Sequence, residues 1–331
     1  ETAQQLVQDL QAGGSVLGLD DFAHYQPTWN APLVGHYRGR TVHAIPGLSG
    51  GPTFLEACAA LTAADLGPDT AAPQHALLLA TTVREAYERR LKTMGHAASP
   101  EAGCTSHLSV VDASGTMVSL TNTLLSRFGS KVVLPQGGML MNNGMMWFDP
   151  RPGQPNSMAP GARPLANMCP LILHADGRPW LAIGAAGGRT IFPTVLQIVS
   201  GMLDTGRSLE EAFHAPRMDA STATIRIDAR MPDAVVAAVA SRHPVEVVPD
   251  AELAPLGGKR DITRDFLVTA KATGDFYLFH SALDGVPYWD TGAPGLSRMG
   301  DYLSRPADPF NEHEPVDSSA AAIAGQALLR L

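Results

Sequence analysis

Hydrophobic residues in the first part of the chain recur mostly at the spacing of an α-helix. This spacing predicts a helix over residues 2–11 and two further helical stretches over residues 53–61 and 74–93. Between the first two, residues 32–45 have the pattern of a strand-like segment, with a candidate turn at residues 37–39. This part of the chain is therefore predicted to be helical around one strand-like segment.

After a linker at residues 95–103, the pattern changes from helical spacing to alternation. Alternating residues predict strands at 107–112 and 116–123, joined by a short loop that ends at Gly115. Further strands are predicted at residues 139–142, 171–174 and 179–184, and helices at 192–203 and 209–214. Strands followed by helices, with few β-α-β alternations, favour an α+β layered sandwich.

The predicted hairpin places two threonine hydroxyls side by side at its open end. A three-residue hairpin loop usually ends in a left-handed glycine, so Gly115 makes Asp112 face Thr116. Counting back along both strands brings Thr105 opposite Thr123, and directly paired side chains lie about 5 Å apart. An isolated pair of this kind is most often two ordinary surface threonines, so its meaning depends on the surrounding sequence.

Thr105 would gain a base of its own if the peptide bond after Cys104 were cut. A threonine hydroxyl is a weak nucleophile that needs an adjacent base. The α-amino group released by the cut has a pKa of about 8 and belongs to the same residue. Thr123 is expected to hold the Thr105 hydroxyl and amine in position. The linker before Cys104 is expected to present the bond for an internal N→O acyl shift.

A glycine-rich turn supplies the second element of a candidate active site. Gly187 and Gly188 lie between a predicted strand and a predicted helix, and glycines leave backbone N–H groups unobstructed. Such groups suit an oxyanion hole, which stabilises the negative oxygen of a tetrahedral intermediate. Alone, the turn is equally typical of a plain loop or of a weak anion site at a helix N-terminus. Combined with the hairpin, it predicts amide chemistry.

Composition narrows the classes of partner. The 331 residues are 45% hydrophobic and 17% charged, and the net charge of −8 argues against binding nucleic acid. No apolar run reaches the roughly 18 residues of a membrane-spanning helix, so no membrane contact is predicted. Cys58, Cys104 and Cys169 are too few for a disulfide framework, which slightly favours the cytoplasm but leaves the compartment open. No metal and no cofactor is expected.

Several sequence blocks from Thr105 onward occur in a characteristic order. They are Thr-Ser-His-Leu-Ser-Val-Val-Asp at 105–112, Phe-Gly-Ser at 128–130, Asn-Asn at 142–143, Pro-Gly-Ala-Arg-Pro-Leu at 160–165, Gly-Gly at 187–188 and Ser-Leu-Glu-Glu-Ala at 208–212. Their order and spacing resemble the small subunit of the γ-glutamyltranspeptidase family. Residues 1–104 look like the end of its large subunit, and residues 105–259 like its catalytic segment.

The resemblance implies an N-terminal-nucleophile (Ntn) hydrolase with a four-layer αββα sandwich. It implies that one precursor cuts itself into two subunits, with Thr105 as nucleophile, Thr123 as its helper, and Gly187 and Gly188 as oxyanion hole. The implied substrate is a small-molecule amide whose γ-glutamyl group passes to water or to an amine. The resemblance leaves open whether the protein is dimeric.

Five positions depart from the family pattern in the substrate pocket. Leu125 replaces an asparagine, Gly144 and Trp147 replace a glutamine and an aspartate, and Ala166 and Asn167 replace two serines. An apolar wall cannot satisfy a buried charged amino group. We therefore expect a changed acyl pocket, with a glutaryl amide or a β-lactam side-chain amide as alternative substrates. Ordinary core packing is the competing explanation for Trp147.

Residues 260–331 have a different character. The blocks at 284–290 and 317–324 resemble a piece of the unsaturated glucuronyl hydrolases, which are (α/α)6 barrels, and helices are predicted at 266–279 and 318–331. No matching pair of catalytic aspartates is present, so no glycosidase activity is predicted. Residues 311–314 are interpreted as a solvated loop rather than a metal site. A catalytically silent fragment, with carbohydrate-related binding in this helical tail, is the alternative to an enzyme.

Overall fold

The computed structural model describes residues 2–64, 72–95, 105–126, 128–136 and 138–249, with a few single residues between 298 and 312. The chain divides into two compact units, Glu1–Leu256 and Gly257–Leu331. Cys104 and the helices predicted at 266–279 and 318–331 lie outside the described residues. Within the described residues, no helix is both long and apolar enough to cross a membrane.

The first unit contains both helices and mainly antiparallel sheets, which confirms an α+β fold. Its helices are α1 (Thr2–Ala12), α2 (Leu19–His24), α3 (Gly51–Ala63), α4 (Ala72–Thr93), α5 (Ile191–Leu203), α6 (Leu209–His214) and α7 (Asp233–Ala240). Its strands are β1 (Leu33–Tyr37), β2 (Arg40–Ala44), β3 (Thr105–Val111), β4 (Met117–Thr123), β5 (Leu171–Ala175), β6 (Arg178–Ile183), β7 (Met218–Asp219), β8 (Ile225–Asp228) and β9 (Val245–Val248).

The main sheet is antiparallel throughout, in the order β1-β2-β5-β6. Because side chains alternate between the faces of a strand, Val42 of β2 and Leu173 of β5 are buried on the same face. Helix α3 contacts β1 and β2, and its Phe54 and Leu61 belong to the same hydrophobic core. Helix α3 therefore covers one face of this sheet at β1 and β2.

The hairpin β3–β4 forms a separate two-stranded sheet that is attached to the main sheet on one side. The Ser109 hydroxyl donates to the Ala182 carbonyl at 3.1 Å, and the Ser119 hydroxyl donates to the Ile183 carbonyl at 3.0 Å. Odd-numbered hairpin residues therefore face the strand β6. Even-numbered apolar residues such as Leu108 are exposed.

Two differences from the sequence-based expectation concern short elements. The strand predicted at 139–142 is wrong, because Leu140 makes only a single bridge to Val133 inside a narrow loop. The sequence analysis also missed α2, α7 and the sheet β7-β8-β9. These elements are between two and eight residues long, which is too short for periodicity to separate them from loops.

Candidate active site

The hairpin register agrees with the prediction at its open end. Thr105 faces Thr123 in the ladder, and the Thr105 hydroxyl donates to the Thr123 hydroxyl oxygen at 3.0 Å. The loop at the other end sets this register. The Asp112 carboxylate accepts the N–H groups of Ser114 and Thr116 at 2.8 and 2.9 Å, and Gly115 is left-handed with φ of 86°. These local contacts align the two hydroxyls seven residues away along each strand.

The turn after β4 adds a second contact to Thr123. The backbone N–H of Leu125 donates to the Thr123 hydroxyl oxygen at 2.9 Å. The next residue is held by Asn143, whose side-chain oxygen accepts the Ser126 N–H at 3.0 Å. The 3₁₀ turn Gly144–Trp147 begins immediately after Asn143. Leu125 is therefore fixed beside the segment that carries two of the predicted pocket positions, Gly144 and Trp147.

A groove of about 940 Å³ opens at Thr105. One wall consists of residues 105–109 of β3, and the opposite wall consists of residues 181–186, at the end of β6 and just beyond. Leu209 and Phe213 of α6 complete an apolar lining. The nucleophile predicted from sequence thus lies in a cleft large enough for a small-molecule substrate.

His107 is a residue of this site that the sequence analysis missed. Its Nδ1 lies 2.8 Å from the Thr121 hydroxyl and its Nε2 lies 3.1 Å from the Ser109 hydroxyl. Burial lowers the pKa of the imidazole and so favours its neutral form. The alternation of the hairpin could have revealed it, because His107 shares a face with Thr105.

The His107 ring packs directly against Gly184. A Cβ atom added to Gly184 would lie 2.2 Å from a carbon of the ring. No larger residue fits at position 184 unless the ring moves and gives up its hydroxyl partners. Because Gly184 has no side chain, the hairpin can lie close to the turn that leads to Gly187.

We expect Gly184→Ala to lower the free energy of unfolding by about 1–3 kcal/mol, because the added methyl group overpacks the His107 contact. Urea unfolding measures the change, with Gly18→Ala as a control at an uncrowded glycine with negative φ. The double variant Gly184→Ala/His107→Ala should lose less free energy of unfolding than the two single variants lose in sum. Equal stability of the Gly184→Ala and Gly18→Ala chains would contradict this packing.

The two predicted oxyanion-hole glycines adopt unusual backbone angles. Gly187 has φ of 130° and Gly188 has φ of 59°, in the left-handed range that favours glycine. The N–H and hydroxyl of Thr190 both donate to the Gly187 carbonyl, at 3.2 and 3.0 Å. The groove reaches Ala186, and Gly187 and Gly188 are not among its lining residues. Their role in catalysis stays a prediction.

Ala166 and Asn167 are tied to a buried arginine. Arg90 of α4 donates to the Ala166 carbonyl at 2.6 Å and to the Asn167 side-chain oxygen at 3.3 Å. It also donates to the Ser49 carbonyl at 2.5 Å. Burial lowers the pKa of the Arg90 guanidinium. Whether Ala166 and Asn167 also face the substrate stays a prediction, since the structure shows a structural partner for both.

A hydroxyl pair in a cleft, on a hairpin of an α+β protein, defines a candidate hydrolase or acyl-transfer site. The sequence profile of the family described as Gamma-glutamyltranspeptidase matches residues 1–104 and 93–265. The chain belongs to this family.

Individual relatives agree with this assignment. The chain is 30% identical to the glutathione hydrolase proenzyme of Escherichia coli (strain K12) over 266 residues, covering 65% of this chain and 46% of the relative. It is 32% identical to the Acylase ACY 1 proenzyme of Pseudomonas sp. (strain SE83) over 270 residues, covering 70% of this chain and 48% of the relative. The chain thus spans about half the length of the curated relatives it matches.

A solved structure shows the same fold. The cephalosporin acylase from Bacillus halodurans superposes with a TM-score of 0.63 at 27% identity, covering 76% of this chain and 52% of the acylase. The similarity includes members named for glutathione hydrolysis and members named as acylases. Family membership therefore leaves the acyl group to be argued from the pocket.

Proposed function

We propose that the chain carries the catalytic centre of a self-processing amidohydrolase or acyltransferase that acts through a Thr105 acyl-enzyme. The observation that carries this proposal is the 3.0 Å hydrogen bond between the Thr105 and Thr123 hydroxyls at the mouth of the groove. Cutting the bond after Cys104 makes Thr105 the N-terminus of a new chain. Its α-amino group then lies on the residue whose hydroxyl it must activate.

The proposed reaction conserves each proton. The Thr105 oxygen attacks the amide carbonyl while its proton moves to the Thr105 α-amino group. The tetrahedral oxyanion is stabilised by backbone N–H groups at Gly187 and Gly188. The leaving amine takes the proton from the α-ammonium group, and a Thr105 ester remains. Water or an amine then attacks this ester by the same steps in reverse.

The same proposal covers the wider architecture. It divides the chain into a large-subunit-like part (1–104), a catalytic part (105–259) and a tail (260–331). It places the three sheets and their helices in a four-layer αββα sandwich made of two subunits cut from one precursor. Support comes from the family profile, which spans 1–265, and from relatives named as proenzymes.

The pocket positions that the family resemblance assigns, which are not among the lining residues of the groove, favour an acyl group without a charged amine. Leu125 is 5% exposed, and neither it nor Trp147 offers a carboxylate or carboxamide to an α-amino group. An ammonium group buried beside them would have no partner to replace its water. A glutaryl amide matches a γ-glutamyl amide in length but lacks that ammonium group. We therefore propose an acylase that prefers glutaryl-like or other uncharged acyl chains over γ-glutamyl chains.

The rates of hydrolysis of two anilides that differ only in the α-amino group test the proposal. We expect the full chain to hydrolyse glutaryl-p-nitroanilide with a kcat/KM at least about tenfold above that for γ-glutamyl-p-nitroanilide, since one lost partner for a buried charge costs more than about 1.4 kcal/mol. Release of nitroaniline gives both rates. Activity confined to the γ-glutamyl anilide would refute the pocket assignment while retaining the enzyme class.

The second candidate is a catalytically silent member of the family. The observation in its favour is that Gly187 and Gly188, the expected oxyanion hole, are not among the lining residues of the groove at Thr105. Failure to hydrolyse either anilide, with no covalent labelling of Thr105 by an electrophilic acyl analogue, would favour this candidate.

A further inference from the structure

Leu125 has a backbone conformation that leucine rarely adopts. Its φ of 76° makes it one of five non-glycine residues with positive φ in the part of the chain that the structure describes. A bulky side chain in the left-handed region is strained, and such strain concentrates at functional sites. The family resemblance leads us to expect asparagine here, which tolerates this region far better. The leucine therefore adopts a costly conformation that surrounding contacts must hold.

Two contacts on either side of Leu125 account for the angle. Its own N–H donates to the Thr123 hydroxyl oxygen at 2.9 Å, and the following N–H, of Ser126, donates to the Asn143 side chain at 3.0 Å. The angle φ describes rotation between the Leu125 N–H and the remainder of the residue. The direction of the Ser126 N–H depends on both φ and ψ of Leu125, so the two contacts constrain these angles together, with φ in the left-handed region.

The contact with Thr123 acts on the proposed nucleophile through one atom. The Thr123 oxygen accepts the Leu125 N–H and also accepts the Thr105 hydroxyl at 3.0 Å. A backbone N–H can only donate, so it fixes the oxygen without specifying whether the Thr123 hydrogen points toward Thr105. When the Thr105 proton moves to its α-amino group, Thr123 can become a donor to the Thr105 oxygen. The bond from Leu125 is unchanged by this reversal.

We propose that Leu125 is a positioning residue whose left-handed backbone N–H holds the Thr123 hydroxyl against Thr105. The inference rests on the proposed function, because it assigns Leu125 to the same hydroxyl pair. It assigns the effect to the backbone N–H rather than to the side chain. The side chain remains a separate determinant of the acyl pocket.

Replacing the Leu125 backbone N–H with an oxygen atom tests its contact with Thr123 directly. Leucic acid at position 125 keeps the side chain and turns the amide into an ester, which removes only the N–H. Leucic acid at Leu120 is the matched control, because it makes the same change on an exposed residue of β4 paired with Leu108. Each ester is introduced into the uncut Thr105→Ala chain with Thr123 present and with Thr123→Val.

We expect the ester at 125 to lower Tm by about 2–4 °C with Thr123 present and by less than about 1 °C with Thr123→Val. The ester at 120 should lower Tm equally in both backgrounds. Equal shifts for the ester at 125 would overturn the proposal. This thermal comparison needs no catalysis, so it decides the contact even where both anilides go unhydrolysed and the proposed function fails.

Kinetic measurements separate a positioning role of Leu125 from an effect on the stability of the protein alone. In the chain with Thr105 intact, the ester at 125 should lower kcat for glutaryl-p-nitroanilide about tenfold, with KM within about twofold of wild type. Leu125→Asn retains the N–H and the tolerance for positive φ, so its main effect should be a changed ratio of kcat/KM between the two anilides, which reports on the side chain. A kcat equal to wild type in the 125 ester, or an equal loss in the 120 ester, would overturn the positioning role.

Discussion

A Thr105→Ala chain is expected to stay whole, at essentially the 34.9 kDa of the full polypeptide. The wild-type chain should resolve into two pieces that break between Cys104 and Thr105. The reason is that the N→O acyl shift begins with attack by the Thr105 oxygen, and alanine has no such atom. Anilide hydrolysis should fall by about 10⁴-fold or more, since nucleophile and base are lost together. Intact mass spectrometry of freshly purified protein measures the first effect.

Two neighbouring changes serve as controls for Thr105→Ala. Thr105→Ser keeps the hydroxyl, so we expect slower but complete cleavage at the same bond. Ser106→Ala removes an exposed neighbouring hydroxyl that takes no part in the Thr105–Thr123 hydrogen bond, and cleavage should proceed as in wild type. If Thr105→Ala were cut at the same bond, another group would be the nucleophile. If the wild type also stayed whole, the silent family member would be the better description.

The hairpin was predictable because its determinants are local. Period-two alternation gave both strands, and one glycine at the end of a three-residue loop gave the register. The structure places Thr105 opposite Thr123 as that register requires. Local sequence also gave five helices and two strands of the main sheet within about two residues, because helices such as α4 and α5 have long apolar faces.

The surroundings of the hairpin were not predictable in this way. Arg90 binds the Ala166 carbonyl from 76 residues away, and no pattern near either residue indicates the pairing. The strain at Leu125 depends on Asn143, which lies 17 residues beyond Ser126. The intrinsic secondary-structure propensity of leucine would instead predict an ordinary helix or strand at position 125, with negative φ. Such contacts arise from packing between elements, so single-sequence patterns carry no signal for them.

Different parts of the site depend on contacts of different range along the chain. The two hydroxyls are aligned by local turn chemistry, whereas the positions of Gly184 and Leu125 are set by contacts with distant elements. Changes in acyl specificity can therefore accumulate in the loops around the pocket while the hydroxyl pair is kept. The relatives named as glutathione hydrolase and as acylase at nearly equal identity are consistent with this separation.

A partly buried carboxylate outside the candidate site gives the largest expected effect on stability. Asp204 follows the end of α5, and it accepts hydrogen bonds from the Tyr37 hydroxyl, from Arg38 Nε at 2.6 Å and from the Ser200 hydroxyl at 2.5 Å. His75 Nε2 lies 3.4 Å away. Burial works to raise the pKa of Asp204, but these partners together hold it well below its usual range.

We expect Asp204→Ala to lower the free energy of unfolding by about 2–3 kcal/mol at pH 7, because Arg38 and Tyr37 lose a shared, partly buried acceptor. Urea unfolding in the uncut Thr105→Ala background measures the loss. Asp20→Ala, at an exposed position of α2, should change stability by less than about 0.5 kcal/mol. A loss no larger than that of Asp20→Ala would show that the cluster contributes little.

The pH dependence of this loss has a definite sign. The folded-state pKa of Asp204 lies below its unfolded value of about 3.9, so its contribution is fully present above that pH. It declines as the pH falls toward the depressed folded pKa, where the native carboxylate also becomes protonated. The difference in the free energy of unfolding between the wild-type and Asp204→Asn chains should therefore be constant from pH 7 to 5 and smaller at pH 3. A gap that widened on acidification would mean that Asp204 is stabilised as the neutral acid, with the Arg38 contact contributing nothing to its charge state.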